Sequence, residues 1–409
     1  MSRWHFALTR QCSTRVSLFT LALALALTAC GGGSAGGVGS GSASGSGGSG
    51  GTGNESPSSG EYVWETGSQF NLSYATIDTT SGSLGSPTVA GSPAFGTTDY
   101  PSIAVSGSDQ FLYAFLWSES EVETFQMNGP GVQLTLLNNT PTLKYTLDLP
   151  YEQSLAMTPD GKFLYVVESG GPPATIQEIS VNATNGSLTL GSPAAEQADL
   201  REVLIDPQGK FLYVNDLSGG RIFAYQINQT DGSLTAVAGS PYTLPAGALP
   251  QSIVMGGGEK FLYAEIYSNG PQEPGGIDAY SIDTTSGALA LVSGSPFPTA
   301  QNETSGIGTD PTGGFVYVSD FLSGAVEAYS VNASSGALSP VQGSPFAGGT
   351  EGGDLIVDTS GNYLYLTDYE NSSIYGFSRN PSTGALTALP GSPFPSVPQP
   401  VGLSVMNIP

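Results

Sequence analysis

Histidine is nearly missing from this chain: His5 is the single one among 409 residues. Cysteine stops at Cys30, with Cys12 the other of the two, and Lys plus Arg total 10 against 34 Asp plus Glu. A sustained 3.6-residue apolar period is absent too. Each absence excludes something. Without an imidazole beyond residue 5, the body has no His general base, no Ser–His or Cys–His nucleophile pair and no nitrogen-rich metal site. Without cysteine after Cys30 it has no disulfide, so apolar burial must hold it together, and residues 61–409 suffice for that. All the acidic residues follow residue 30, whereas Arg3, Arg10 and Arg15 precede it, which leaves 34 − 7 = 27 excess negative charges after the leader. Nucleic acid and phosphorylated or polyanionic ligands need a cationic footprint, and this balance argues against them as partners. The missing helical period leaves strands as the building material.

What is present begins with a targeting segment. Arg3, Arg10 and Arg15 form a basic stretch, and Val16 to Ala26 form an apolar run shorter than a membrane span. The run closes on Leu27-Thr28-Ala29-Cys30, which resembles the bacterial lipoprotein lipobox. That resemblance implies a signal peptide over residues 1–30 and lipidation of Cys30, and Gly31 in place of Asp implies the outer membrane. Residues 31–60 are nearly all Gly and Ser, a disordered linker with a reach of roughly 30 Å. The expected product is a monomer anchored in the cell envelope by its N-terminal lipid, with the folded part at residues 61–409.

That folded part is a repeat. Phe111-Leu-Tyr-Ala, Phe163-Leu-Tyr-Val, Phe211-Leu-Tyr-Val, Phe261-Leu-Tyr-Ala, Phe315-Val-Tyr-Val and Tyr363-Leu-Tyr-Leu recur roughly every 50 residues, with a worn copy at Glu61-Tyr-Val-Trp. A short apolar run precedes each, joined by a turn such as Pro159-Asp-Gly-Lys. A third strand follows, ending in an Asx…Gly hairpin, as at Asn228…Gly232 and Asp283…Gly287. A fourth strand runs out into Gly-Ser-Pro-(Phe/Tyr), at Gly239, Gly294, Gly343 and Gly391. The fold class expected is all-β, a seven-bladed β-propeller of four-stranded antiparallel blades. The chain ends on an inner-strand pattern, Gly402 to Val405, and the folded part starts on a second-strand pattern, Tyr62 to Trp64, so the two termini should share a blade. Blade two lacks the hairpin and Gly-Ser-Pro motifs after Asn128-Gly129, and an altered outer strand is expected there.

The run Pro-x-Gly-Lys-Phe-Leu-Tyr-Val, then Ala-Tyr-x-(Ile/Val)-(Asp/Asn)-x-x-x-Gly-x-Leu, then Gly-Ser-Pro-Phe, resembles the lactonase family of seven-bladed propellers, which includes bacterial 6-phosphogluconolactonases. The likeness spans residues 61–409 and implies a lactone-hydrolysing scaffold with its site near the central channel. The family's His, at the head of an inner strand, is replaced here by Ser102, Ser154, Glu202, Ser252, Gly306, Asp354 and Gly402. The first expectation is therefore a non-catalytic module for a small-molecule, carbohydrate or envelope-protein ligand. The alternative is a lactone hydrolase using carboxylates or a bound divalent cation.

Two constellations could carry such chemistry. Arg201 and Glu202 are adjacent at one inner-strand head and Asp354 stands at another; in a regular strand Arg201 and Glu202 would point to opposite faces. Glu65, Glu168, Asp216, Asp320 and Asp368 each follow a second-strand Tyr by three residues, with Leu116 in blade two and Glu265 one position early in blade five. Pseudo-symmetry would set these carboxylates on one face, either capping turn amides or forming a ring for a cation such as Ca2+, which takes oxygen ligands alone. Trp64, Trp117 and Tyr369 lie near the same loops and could offer an aromatic platform.

Overall fold

In the computed structural model, residues 60–408 are described apart from the segments 68–71, 91–101, 107–109, 117–120, 129–132, 138–154, 169–173, 197–198, 246–247, 268–274 and 301–302. The signal peptide, Cys30 and nearly all of the linker therefore lie outside the described residues, as do Ser154 and Trp117.

Seven antiparallel sheets form seven blades, each with four strands in radial order. Blade four shows the plan: Leu200–Ile205 innermost, then Phe211–Asp216, Arg221–Ile227 and Leu234–Ala236. Inner strands of successive blades lie beside one another around the ring, as Thr304–Thr309 does beside Gly352–Val357 and the latter beside Pro400–Ile408. Blade one is shared as expected: Pro400–Ile408 pairs antiparallel with Gly60–Gly67. In blade two the outer strand is Gln133–Leu137, paired with Glu121–Asn128.

The Gly-Ser-Pro segment does more than terminate the fourth strand. It turns the chain back, and Tyr242–Thr243, Phe297–Pro298 and Phe394–Pro395 pair with the third strands of their blades. The Ser–Pro bonds at Pro241, Pro296, Pro345 and Pro393 are cis. The preceding serine, Ser240, Ser295, Ser344 or Ser392, accepts a third-strand N–H at 2.9–3.0 Å.

The repeat motif explains the ring. A strand shows alternate residues to opposite faces, and here both faces are covered. Phe211 and Tyr213 point forward onto Leu262 and Ala264 of the next blade, and Phe261 and Tyr263 onto Val316 and Val318. Seven apolar clusters result, one for each seam. The motif tyrosines then tie each seam: Tyr165, Tyr213, Tyr263, Tyr317 and Tyr365 donate to the carbonyls of Gly232, Gly287, Gly336, Gly384 and Gly82 in the following blade, at 2.7–3.0 Å. Those glycines have φ between 72 and 76°. They are also roofed by the preceding blade's aromatic ring, so that a Cβ on Gly287 would sit 2.4 Å from Phe211.

Candidate functional site

Inner strands begin, and second strands end, at the same end of each antiparallel blade, so inner-strand heads and second-strand tips form one mouth of the central channel. A β-bulge recurs there. The pairing of inner with second strand slips between Leu200 and Val203, Pro250 and Ser252, Thr304 and Gly306, and Gly352 and Leu355. A bulge re-aims side chains. Arg201 and Glu202 fall inside one, so strict alternation does not govern them.

Glu202 reaches the neighbouring blade. Ser252 Oγ donates to its Oε1 at 2.9 Å and the Ile253 N–H donates to its Oε2 at 2.9 Å. Its own N–H donates to Asn215 Oδ1 at 2.8 Å, and Asn215 Nδ2 donates to the carbonyls of Pro250 and Gln251 at 2.9 and 2.8 Å. Burial pushes the Glu202 carboxyl up to about 8; the Ile253 and Ser252 hydrogen bonds oppose that rise, and the charges of Asp354 and Glu265 add to it.

Asp354 makes the same kind of link at the closure, its Oδ2 accepting the Leu403 N–H at 2.8 Å. Burial raises it to about 7. Glu265, opposite Ser252 in the register, is fully buried and raised to about 7 by burial, with the Thr304 hydroxyl beside it acting the other way. Neither Glu265 carboxylate oxygen has a hydrogen-bond partner of good geometry. Three carboxyl groups raised toward neutral pH thus stand at this mouth, Glu202 and Asp354 on the inner strands of blades four and seven and Glu265 on the second strand of blade five, and Glu202 senses both of the others.

Arg201 pairs with Asp199. Its Nη2 lies 2.9 Å from Asp199, and burial lowers its guanidinium to about 9. Asp199 is itself raised to about 6, by burial and then by the charge of Asp216.

The five second-strand carboxylates do not converge. Asp216 accepts the N–H groups of Asp199 and Gly219, both at 3.0 Å, and the Arg221 guanidinium. Asp320 accepts the Ser323 N–H at 2.6 Å, and Asp368 accepts from Thr350 and Asn371. Glu168 accepts the Thr175 hydroxyl at 3.3 Å. Among the described residues no three Asp, Glu, His or Cys side chains come together to hold a metal ion.

Glu65 leaves the pattern altogether. Val63 faces Val405 as Leu364 faces Val357, so Trp64 takes the place of the motif tyrosine and Glu65 that of Leu366. The three-residue spacing from Tyr62 to Glu65 thus sets the worn copy two residues early. Glu65 accepts from Ser396 and from the Val397 N–H in the approach to the closing strand, and burial raises its carboxyl. Trp64 is 1% exposed and packs on Tyr74 inside a seam, so it offers no platform at the mouth.

Other members of this mouth were not singled out by the sequence. Asn215, Ser319 and Thr367 follow the four-residue motif directly, and each bonds inner-strand backbone. A polar residue in a run buried on both faces was the readable signal. Gln251 and Ser305, at the bulges, carried none.

The family model described as lactonase, 7-bladed beta-propeller, matches residues 101–246 and 292–405, more than half of the chain. A 6-phosphogluconolactonase of Serratia proteamaculans (strain 568) is 26% identical over 140 residues, 34% of this chain; the match spans 42% of that relative. The periplasmic gluconolactonase of Pseudomonas aeruginosa superposes with a TM-score of 0.70 at 18% identity, over 85% of this chain and 100% of that one. A protein from Lactobacillus plantarum superposes with a TM-score of 0.69 at 19% identity, over 85% and 100% of the two chains. With seven blades closed by the two termini and the repeat motif at six of the seven seams, the chain belongs to the lactonase family of seven-bladed β-propellers.

Proposed function

We propose that this propeller is an envelope lactone hydrolase that uses carboxyl groups in place of an imidazole. The observation that carries the reading is the pair Glu202 and Asp354. Both are inner-strand heads, both are buried, burial raises both toward neutral pH, and the charge of Asp354 adds to the rise at Glu202. Hydrolysis of a ring ester needs a base to take a proton from the attacking water and an acid to return one to the departing ring oxygen. The member of the pair that ionises first serves as the base, and the charge it then carries holds the proton on the other, which serves as the acid. The product is the open hydroxy acid, with water added across the ester bond. Cys30 and the linker over residues 31–60 would hold the enzyme on the membrane.

The test is proton release in a pH-stat with a panel of aldonolactones. The reading expects a bell-shaped kcat/KM profile centred near neutral pH, rising as the pair loses its first proton and falling as it loses its second. Asp354→Asn and Glu202→Gln should each lower kcat by about 100-fold or more. Turnover no faster than buffer, or unchanged in both variants, would sink it.

A second reading has its own support: both oxygens of Glu202 are held by blade five, which suits a binding site without turnover. It expects lactone or sugar binding in calorimetry with no proton release.

A further inference from the structure

Glu265 differs from the two carboxylates beside it. Glu202 and Asp354 each accept a backbone N–H from the next inner strand, whereas neither oxygen of Glu265 accepts a hydrogen bond of good geometry. The Thr304 hydroxyl, which lies next to it on blade six, makes none either. Both side chains are 0% exposed.

Its counterparts show what it faces. Asn215 and Ser319 hold the same place in blades four and six, directly after the four-residue motif and one residue on. Both donate to carbonyls at the bulge of the next inner strand: Asn215 Nδ2 to Pro250 and Gln251 at 2.9 and 2.8 Å, and Ser319 Oγ to Gly353 at 2.6 Å. In blade six that bulge falls at Thr304 and Ser305, where the register slips before Gly306. An ionised carboxylate only accepts hydrogen bonds, so Glu265 brings an acceptor to carbonyls that elsewhere meet a donor. The other hydroxyls close by are committed. Ser252, opposite Glu265 in the register, donates to Glu202, and Ser305 donates to the Gly352 carbonyl at 2.6 Å.

A carboxylate, a hydroxyl and backbone carbonyls closed off from solvent call for a partner of positive charge that oxygen alone can hold. We infer that the seam between blades five and six binds a calcium ion, held by the Glu265 carboxylate, the Thr304 hydroxyl and the inner-strand carbonyls of Thr304 and Ser305. Calcium accepts a bidentate carboxylate and carbonyl oxygens in a loose geometry, whereas magnesium keeps several waters, for which a fully buried carboxylate leaves no place. Sodium brings half the charge to a nook whose carboxylate Glu202 also feels. One acidic side chain suffices here, so the site does not need the three that fail to meet at the mouth. Such binding requires no turnover and is independent of the hydrolase reading.

The experiment titrates calcium chloride into the chelator-treated chain by calorimetry and reads the melting temperature at about pH 8, above the point where Glu265 releases its proton. The expected isotherm shows one ion per chain, and calcium at about 10 mM should raise the melting temperature by about 3 °C or more. Magnesium, and sodium at matched ionic strength, should leave it nearly unchanged. Glu265→Gln should abolish the calcium gain while keeping the fold, because its amide supplies the donor that Asn215 supplies in blade four. Thr304→Val should weaken calcium binding by about tenfold. The titration of the unaltered chain decides even if a variant folds poorly: no heat and no shift with calcium overturns the inference and leaves a protonated Glu265. An equal gain in Glu265→Gln places the ion elsewhere, and an equal gain with magnesium marks a general salt effect; either overturns it too.

Discussion

The Tyr365 hydroxyl donates a 2.9 Å hydrogen bond to the carbonyl of Gly82, 283 residues earlier in the chain, and so ties the last blade to the first. The same bond recurs at the four seams from blade three to blade seven, whereas the Tyr113 hydroxyl, buried at the seam between blades two and three, has no partner among the described residues. Tyr365→Phe should therefore cost about 1–2 kcal/mol, since it leaves a buried carbonyl unpaired. Tyr113→Phe should be neutral or slightly stabilising. Thermal or urea unfolding of the two variants checks the contrast, and equal losses would contradict it.

Blade two has no such tie on either side, because Trp64 stands where the preceding blade would supply its tyrosine and the Trp64 indole nitrogen is unpartnered. Amides of Phe111–Leu116 and Glu121–Asn128 should then exchange faster than those of Tyr363–Asp368 and Gly60–Gly67, although the latter belong to the closure. Native-state hydrogen exchange by mass spectrometry reads this directly. Slowest exchange in blade two would refute it.

Gly287 is needed twice, for a φ of 76° and because a Cβ would lie 2.4 Å from the Phe211 ring. Gly287→Ala should cost about 3 kcal/mol. Gly258 has a φ of 65° but nothing within 4 Å of a Cβ, so Gly258→Ala should cost about 1 kcal/mol, the backbone penalty alone. Chemical denaturation of both separates packing from conformation.

Stability should fall as pH rises from about 4 to about 8. Glu202, Glu265, Asp354 and Asp278 are all raised, to about 8, 7, 7 and 6, with burial the main cause. Groups raised in the folded state hold protons that the unfolded chain has released, so their contribution is full below the unfolded values and is lost as pH climbs through the folded ones. The melting temperature at pH 5 should exceed that at pH 8.5 by about 5 °C or more. Glu265→Gln, which removes a buried charge with no hydrogen bonds of good geometry, should recover part of the loss at high pH. A flat profile between these pH values would overturn the assignment.

The repeat was legible because each motif residue has a separate job that only its own chemistry performs. Phe roofs a glycine, Tyr ties a seam, and the two aliphatic residues face back. The Asx…Gly hairpin was legible for the same reason, since its geometry is local. In blade one the sequence pattern and the strand register differ. Tyr62 is the only tyrosine in the worn copy, yet Trp64 occupies the motif position, and only the pairing with Val405 sets that register.

Composition and repeat by themselves determined the seven-bladed ring, the sharing of one blade by the two termini and the lack of any histidine after His5, because strand periodicity, turn residues and residue identity are local properties. Tertiary structure alone decided what the carboxylates do. Five that look equivalent along the chain bond turns and neighbouring strands and form no metal-holding group among the described residues, while Glu202 feels the charges of Glu265 and Asp354, which lie far from it along the chain. A carboxyl group's charge state depends on burial and on neighbours brought by the fold, and neither is written in its position along the chain.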